Sequence, residues 1–202
     1  EAHLQMQLCV EGEPYRADDP EVRCGQRVLD LLPDEWEAFA AEKEIFSERA
    51  DLAGSVDLII RNSRTSQLAV IDWKCTDKLQ EKLHSFGSKK LAPPMQHLDD
   101  SDGAQYALQL SIYRWILSEE YGYDVGCLVL VSLHPDKPFF TAVPYLEEEV
   151  DYIMRDRMAM HAARTSCPHK CPLSGVALHD PVRVVVGGEE TTVDRKTAMS
   201  RQ

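Results

Sequence analysis

The segment VIDWKC, residues 70–75, places an acid and a base inside an otherwise apolar run. Asp72 and Lys74 are separated by one residue, and alternate residues of a β-strand lie on the same face of the sheet. Charged side chains are seldom buried unless they form ion pairs or take part in chemistry. The spacing therefore predicts a reactive or ion-paired Asp and Lys on one face of a strand whose other face is directed into the core.

A second acid, Asp57, lies in the preceding predicted strand, within GSVDLII. If the turn between the strands is centred between residues 64 and 65, Asp57 lies directly opposite Asp72. Cross-strand Cβ atoms are about 4.5–5.5 Å apart, and two carboxylates at that distance repel each other unless a cation lies between them. Because Mg²⁺ prefers oxygen ligands, the pair predicts a divalent metal site, with Lys74 beside it to hold a water or stabilise phosphoryl charge.

Three further polar residues are candidates for the same site. Glu48 lies in the strand predicted just before GSVDLII, within reach of the metal directly or through water. Gln109 and Tyr113 are spaced i, i+4 on a predicted helix and therefore share one of its faces. A helix packed across the sheet would direct this amide and phenol toward the metal or toward a phosphate.

These four groups of residues resemble, in order, spacing and predicted element type, the motifs of the PD-(D/E)XK nuclease superfamily: Glu48, Asp57 in GSVD, Asp72 and Lys74 in IDWK, and Gln109 with Tyr113 in QLSIY. The helix-borne Gln-x-x-x-Tyr is similar to that of the RecB-like exonuclease group. A D-x-K pair alone is a weak motif, whereas four ordered motifs across residues 30–150 are specific. The second acidic position is Asp instead of the more frequent Glu, which the family pattern allows.

The resemblance implies an α/β fold, with a central mixed β-sheet flanked by helices as in the restriction-endonuclease-like nuclease core. It also implies that Asp57 and Asp72 bind Mg²⁺ or Mn²⁺, with the backbone carbonyl of Trp73 as a third ligand. Glu48 would help to hold the metal. The implied reaction is metal-assisted hydrolysis of phosphodiester bonds.

The other motif residues are implied to act on water and substrate. Lys74 would orient or activate the attacking water, and Gln109 with Tyr113 would position the DNA backbone. The implied enzyme is a DNA exonuclease that acts on single strands or free ends. We expect DNA as its partner, together with a larger replication or repair assembly or fused domains, and no membrane.

The elements that must position these residues follow from periodicity and turn residues. We predict an irregular extension over residues 1–25, a nuclease core over 26–165, and a C-terminal extension or hairpin over 166–202. The core is predicted to contain a helix through residues 28–40, strands at 44–50, 55–61 and 67–73, a helix at 104–122, strands at 126–134 and 138–146, and a helix at 147–163.

A long excursion between the metal strand and the motif helix, residues 76–103, is predicted to be functional or mobile. It would fold over a single strand, with Phe86 as a stacking surface and four lysines as phosphate contacts: Lys78, Lys82, Lys89 and Lys90. A solvated loop is the alternative. The acidic stretch HLDDSD at its end would repel DNA, so only part of the excursion suits this role.

Composition and net charge restrict the partners and the cellular location that we expect for the chain. The chain has 202 residues and a net charge of −12, so any nucleic-acid partner must be met by a local basic patch. No apolar run is long enough for a membrane span. Six scattered cysteines do not form a disulfide framework, and we expect an intracellular, reducing compartment: cytosol, nucleus or mitochondrial matrix.

The cysteines leave several interpretations open. Some RecB-like nucleases carry an iron–sulfur cluster; Cys9 or Cys24 with Cys167 and Cys171 supplies three of its four ligands, without a third late cysteine. Addition of His169 or His179 would instead complete a zinc site, and free thiols are the third alternative. Cys75 and Cys127 fall in predicted core strands and are expected to be buried.

Two rival functions also remain open. One is a catalytically silent nuclease-fold module that binds nucleic acid or a protein partner, which would tolerate Asp72→Asn. The other is a metal-dependent phosphatase, which would hydrolyse small phosphate esters and leave DNA intact.

Overall fold

The structure, a computed structural model, describes residues 1–84, 89–165, 181–186 and 189–195. The chain divides into one unit of Glu1–Glu48 with Leu52–Ile153 and a second unit of Arg49–Asp51 with Met154–Gln202. Its elements, in chain order, are α1 Ala2–Glu11, α2 Pro20–Asp30, β1 Trp36–Ser47, β2 Leu52–Asn62, β3 Leu68–Lys74, α3 Leu79–His84, α4 Asp102–Glu119, β4 Val125–Ser132, β5 Phe139–Ala142, α5 Glu147–Thr165, β6 Pro181–Val186 and β7 Glu189–Asp194.

Five strands of the first unit form one mixed sheet in the order β1-β2-β3-β4-β5. β3 and β4 are parallel, and the other neighbouring pairs are antiparallel. Leu58 pairs with Ile71 in the β2–β3 hairpin, so the turn is centred between residues 64 and 65, as expected. The side chain of Asn62 fixes this turn because it accepts the N–H groups of residues 64 and 65. The predicted α/β class and the predicted hairpin register are confirmed.

β3 is the central strand and is buried on both faces. On one face, α1 and α2 pack against apolar side chains of three strands, in a cluster formed by Ala2, Met6, Val22, Leu58, Ile60, Ala69, Ile71, Trp73, Val131 and Leu133. α4 contacts β1, β3 and β4, and the alternate residues Val70 and Leu130 are fully buried. Asp72, inside β3, is therefore shielded from water, whereas Lys74 at the end of the strand is half-buried.

Residues 1–25 are not an irregular extension, which corrects the predicted boundary. They form α1 and the first half of α2, and Met6 is 1% exposed. α2 begins where Asp19 accepts the N–H groups of Glu21 and Val22, with Pro20 at the first helical position. The prediction took Pro20 for a loop residue, whereas the Asp-Pro pair starts a helix.

Residues 36–40 form a strand, so the predicted helix through residues 28–40 is also wrong. α2 ends at Asp30, and Trp36 N–H bonds to the carbonyl of Pro33 in the connecting turn. β1 then pairs with β2 from Trp36 onward, with an irregularity between Ala38 and Ala40. A β-bulge interrupts the period-2 alternation, and the resulting apolar spacing resembles that of a helix.

The second unit contains the C-terminal part of α5 and the hairpin of β6 and β7; a hairpin is one of the two alternatives predicted for residues 166–202. Arg157 donates to the carbonyl oxygens of Ala50 and Asp51, at 3.0 and 2.6 Å. Four candidate metal ligands lie outside the described residues: Cys167, His169, Cys171 and His179. In the part of the chain that the structure describes, no helix is long and apolar enough to cross a membrane.

Candidate metal-binding and catalytic site

Asp72 and Lys74 lie on one face of β3, as their spacing predicts. Asp72 is 3% exposed, and its Oδ2 lies 2.6 Å from Lys74 Nζ. The ammonium of Lys74 is the contact of this oxygen, and among the described residues Oδ2 accepts no further hydrogen bond. The ammonium also lies 4.6 Å from the centre of the Tyr106 ring, so Lys74 has both an anion and an aromatic face as neighbours.

Asp57 reaches β3 at the point where the β2–β3 ladder ends. The last pair in the ladder is Leu58 with Ile71, and beyond it Asp57 Oδ2 accepts the Trp73 N–H at 2.8 Å. The carbonyl of Lys74 faces β4, where it accepts the N–H of Leu133. Neighbouring residues of a strand direct their polar backbone groups to opposite sides, so we expect the Trp73 carbonyl to face the same gap as Asp57.

Burial dominates the electrostatics of Asp72. Burial raises the pKa of this carboxyl above its ordinary value, and Asp57 adds to the rise, whereas Lys74 opposes it. An anion held in this position is costly unless a cation compensates it. The oxygen that accepts no further hydrogen bond among the described residues is a donor atom suited to such a cation.

Two residues that the sequence analysis missed complete an acidic cluster around Asp57. His3 Nδ1 lies 3.6 Å from Asp57 Oδ1 and 4.0 Å from Glu42 Oε1. One ligand atom from each of His3, Glu42 and Asp57 lies within 4.8 Å of the others. The three donors are close enough together to hold one ion.

Glu42 adopts a strained, left-handed backbone conformation in the cluster. The ladder pairs on either side place it opposite Asp57, and its φ of 44° lies in the left-handed region. That region costs a residue other than glycine about 1–2 kcal/mol. Strain of this kind concentrates at functional sites, which is a reason to assign Glu42 a role.

His3 carries a positive charge in this arrangement. Its interaction with the Asp57 carboxylate, with a smaller contribution from Cys75, raises the pKa of the imidazole to about 10, against the lowering effect of burial. The side chain is 40% exposed, so solvent weakens the interaction. The imidazolium serves as a counter-charge for the acids, and its loss of a proton makes it a metal ligand.

Glu48 does not lie in the cluster, which corrects the sequence-based assignment. It is exposed and follows the last residue of β1, in the turn that leads to β2. Asp57 lies five residues beyond the start of β2, about 17 Å along the strand. Because β1 begins earlier than predicted, the acid opposite Asp57 is Glu42.

α4 supplies Gln109 and Tyr113 on one face, as predicted. Gln109 Nε2 donates to the Tyr113 hydroxyl at 2.8 Å, which leaves the phenol proton available for another acceptor. Burial raises the pKa of Tyr113, with contributions from Asp72 and Asp57, so the phenol is neutral at physiological pH. Tyr113 is therefore a hydrogen-bond donor beside the acids and not a base.

Gly54 makes room for the Tyr113 ring. A Cβ atom at position 54 would lie 2.6 Å from Tyr113 Cε1. We expect Gly54→Ala to displace the ring, to lower the free energy of unfolding by about 1–3 kcal/mol, and to weaken the DNA binding that is proposed below. Urea unfolding and, for the proposed activity, the KM for DNA measure the two effects. Gly126→Ala is the control, since its Cβ would lie similarly close, at 2.4 Å, to a side chain outside the site, that of Gln67; an equal loss of affinity there would contradict the assignment.

The lysines of the excursion are only partly available to a phosphate. Lys82 pairs with Asp102 at 2.7 Å, and Lys90 pairs with Asp99 at 2.5 Å. Lys78 and Lys89 are exposed. Phe86 lies outside the described residues, so the predicted stacking surface is not described.

The cysteines of the core differ from the expectation of buried thiols. Cys75 follows the end of β3 and is exposed, and Cys127 is half-buried. Cys75 interacts with His3 at the rim of the cluster. Cys9, Cys24, Cys75 and Cys127 are all free thiols.

Comparisons with known proteins give little further information. No family model matches the chain, and no curated protein matches it. Among solved structures, the chain is similar to one titled "Crystal structure of SSO0001", at 20% identity over 69% of this chain and 58% of that chain, with a TM-score of 0.31.

The sequence contains a signal for Glu42 but no local signal for His3, the two site residues that the sequence analysis missed. Glu42 follows from the hairpin register once β1 is extended toward Trp36, whose aromatic side chain favours a strand. His3 lies 54 positions before Asp57. No local pattern predicts a contact over that separation, because it depends on how α1 packs on the sheet.

Proposed function

We propose that the chain is a Mg²⁺- or Mn²⁺-dependent nuclease that hydrolyses phosphodiester bonds of DNA, as an exonuclease on single strands or free ends. The observation that supports this most is the buried Asp72 in contact with Lys74, next to Asp57 at the end of the β2–β3 ladder. A structural ion pair alone does not account for a second acid at the same point.

The donors of the cluster fit a divalent cation. Asp57 and Glu42 supply the oxygen atoms that Mg²⁺ and Mn²⁺ prefer, and His3 adds a nitrogen. We assign the carboxylate of Asp72, which contacts Lys74, to the same cation. When bound, the cation would polarise a phosphate oxygen and lower the pKa of a water molecule. The Trp73 carbonyl is the backbone donor that we assign to the same cation.

Two side chains of the protein are proposed to act on the attacking water and on the phosphate. Lys74, at 2.6 Å from Asp72, orients the attacking water or donates to the phosphate as negative charge develops. Tyr113, neutral and bonded to Gln109, donates to a non-bridging phosphate oxygen of the DNA. Both donors are fixed before substrate arrives, which reduces the cost of reorganisation.

Cleavage of 5′- and 3′-labelled single- and double-stranded DNA, with Mg²⁺, Mn²⁺ or EDTA, tests the proposal. We expect cleavage that requires metal, and product ladders that report polarity and end requirement. Glu42→Gln and Glu48→Gln form a matched pair, because only Glu42 belongs to the cluster. Equal loss in both variants would contradict the site as assigned, and turnover of small phosphate esters without DNA cleavage would favour a phosphatase.

His3→Ala is predicted to weaken metal binding. We expect the metal concentration for half-maximal cleavage to rise roughly tenfold or more, with a larger effect for Mn²⁺ than for Mg²⁺ because imidazole nitrogen is a poor ligand for Mg²⁺. Calorimetric titration of each metal measures binding directly. His161→Ala in the second unit is the control. Unchanged metal affinity in His3→Ala would remove His3 from the ligand set.

One observation favours the silent binding module as a second candidate. His3 and Lys74 already place two cations against Asp57 and Asp72, so the protein compensates these acids itself. For such a module we expect DNA binding in EDTA, no cleavage with any metal, and full tolerance of Asp72→Asn. Binding and cleavage assays on one preparation separate the two candidates.

The proposed setting is a reducing intracellular compartment, with replication or repair as the process. The four described cysteines are free thiols, in agreement with this setting. Binding of zinc or a cluster by Cys167 and Cys171 stays a prediction, and metal analysis of the purified chain tests it.

A further inference from the structure

A groove beside α2 lies apart from the acidic cluster and has no part in the proposed hydrolysis. Its volume is about 450 Å³, and one stripe of α2 and the segment from β4 to β5 line it. Arg23, Arg27 and Leu31, the last of them at the end of the helix, are each four residues apart. Cys24 and Val28 form the neighbouring row with the same spacing, so these residues lie on one side of the helix. Phe139 and Phe140 form part of the opposite wall.

The two arginines give the groove a positive charge. Both are exposed, and among the described residues neither forms an ion pair with a carboxylate. Many other basic side chains of the first unit face an acid, as Lys82 and Lys90 do. In a chain with a net charge of −12, two adjacent guanidinium groups without an acidic partner form a local site for an anion.

The walls of the groove suit a flat apolar group next to that anion. Leu31 is 74% exposed and Phe140 is 62% exposed, so two large apolar side chains are left uncovered. The volume lies within the range of about 300–1,000 Å³ that is typical of ligand sites. A nucleotide combines the two properties required, because a planar base is attached to a charged phosphate.

The groove lies near the end of the sheet that carries the acidic cluster. Cys24 belongs to the same stripe of α2, and its Sγ donates to the carbonyl oxygen of Ser132 at 3.6 Å. Ser132 pairs with Lys74 in the β3–β4 ladder. The groove and Lys74 therefore both lie at the C-terminal end of the parallel strands β3 and β4.

We propose that the groove binds one nucleotide of a single-stranded nucleic acid. The base lies between Leu31 and Phe140, and the flanking phosphates contact Arg23 and Arg27. A duplex does not present an unstacked base, so the groove selects single strands through the face of the base and not through its hydrogen-bonding edge. The inference rests on the proposed function and identifies the form of its substrate.

Fluorescence anisotropy of a labelled oligothymidylate, with the full chain in EDTA, tests the groove without cleavage. We expect the double variant Arg23→Gln/Arg27→Gln to bind roughly tenfold more weakly, with a salt slope smaller by about 1.4 for two lost phosphate contacts on a single strand. Phe140→Ala is expected to bind roughly tenfold more weakly through lost stacking. Arg64→Gln and Phe46→Ala, exposed positions outside the groove, are the matched controls and should bind as the wild type does.

The outcomes separate the groove from the nuclease proposal. Wild-type affinity in the groove variants overturns the groove, and if metal-dependent cleavage is still lost in Lys74→Ala, the nuclease proposal survives. Weakened binding in the groove variants alone, with no cleavage by the wild type, supports the groove and overturns the nuclease. Displacement of the oligonucleotide by polyglutamate at similar concentration would indicate an acidic protein partner and would overturn the nucleotide assignment.

Discussion

Asp72→Asn is expected to abolish cleavage while leaving the fold at least as stable as the wild type. The proposed function assigns Asp72 to the metal, so we expect the substitution to lower the rate by roughly 10³-fold or more. It also removes a buried anion; burial, with a smaller contribution from the Asp57 charge, raises the pKa of the Asp72 carboxyl. The free energy of unfolding should therefore stay constant or rise by up to about 1 kcal/mol.

Lys74→Ala is the companion variant, and its effect on stability should have the opposite sign. Cleavage is lost as in Asp72→Asn, but the Asp72 carboxylate then loses its nearest cation. An unpaired buried charge costs about 1–3 kcal/mol or more, so urea unfolding should show a less stable protein. If both variants lose stability equally and retain cleavage, the pair is a structural salt bridge and the site lies elsewhere.

The parts of the site that the sequence predicts are those fixed by local geometry. The spacing of Asp72 and Lys74 determines a shared face on any strand, and the turn at residues 64 and 65 determines the register with Asp57. Gln109 and Tyr113 follow from the helical period in the same way. Each inference spans a short separation or a single hairpin, within which backbone geometry leaves few alternatives.

The parts that the sequence does not predict depend on tertiary packing. The irregularity in β1 near Phe39 interrupts the strand alternation, so the predicted start of β1 lies too late in the sequence. That prediction assigns Glu48 to the site instead of Glu42. His3 reaches Asp57 only because α1 packs against the face of the sheet that carries Trp73. Helix propensity and capping do not specify such a docking position, although Gly12, in a left-handed conformation, marks the end of α1.

Met6→Ala is therefore predicted to affect both stability and the site. Met6 is 1% exposed and belongs to the apolar cluster with Trp73 and Val131. It packs closely on Gly25 of α2, where a Cβ atom would lie within 2.6 Å of its side chain. Removal of this side chain leaves a cavity, and we expect the free energy of unfolding to fall by about 2–4 kcal/mol in urea titration.

Leu4, on the same helix α1 as Met6, is the control position because its side chain is 52% exposed. Leu4→Ala should change stability by less than about 0.5 kcal/mol, as surface substitutions usually do. Met6→Ala should also weaken metal binding, since the altered packing of α1 moves His3 away from Asp57, whereas Leu4→Ala should not. A small stability loss in Met6→Ala would mean that residues 1–25 are an accessory extension. A large loss with unchanged metal affinity would leave α1 in the core and remove it from the site.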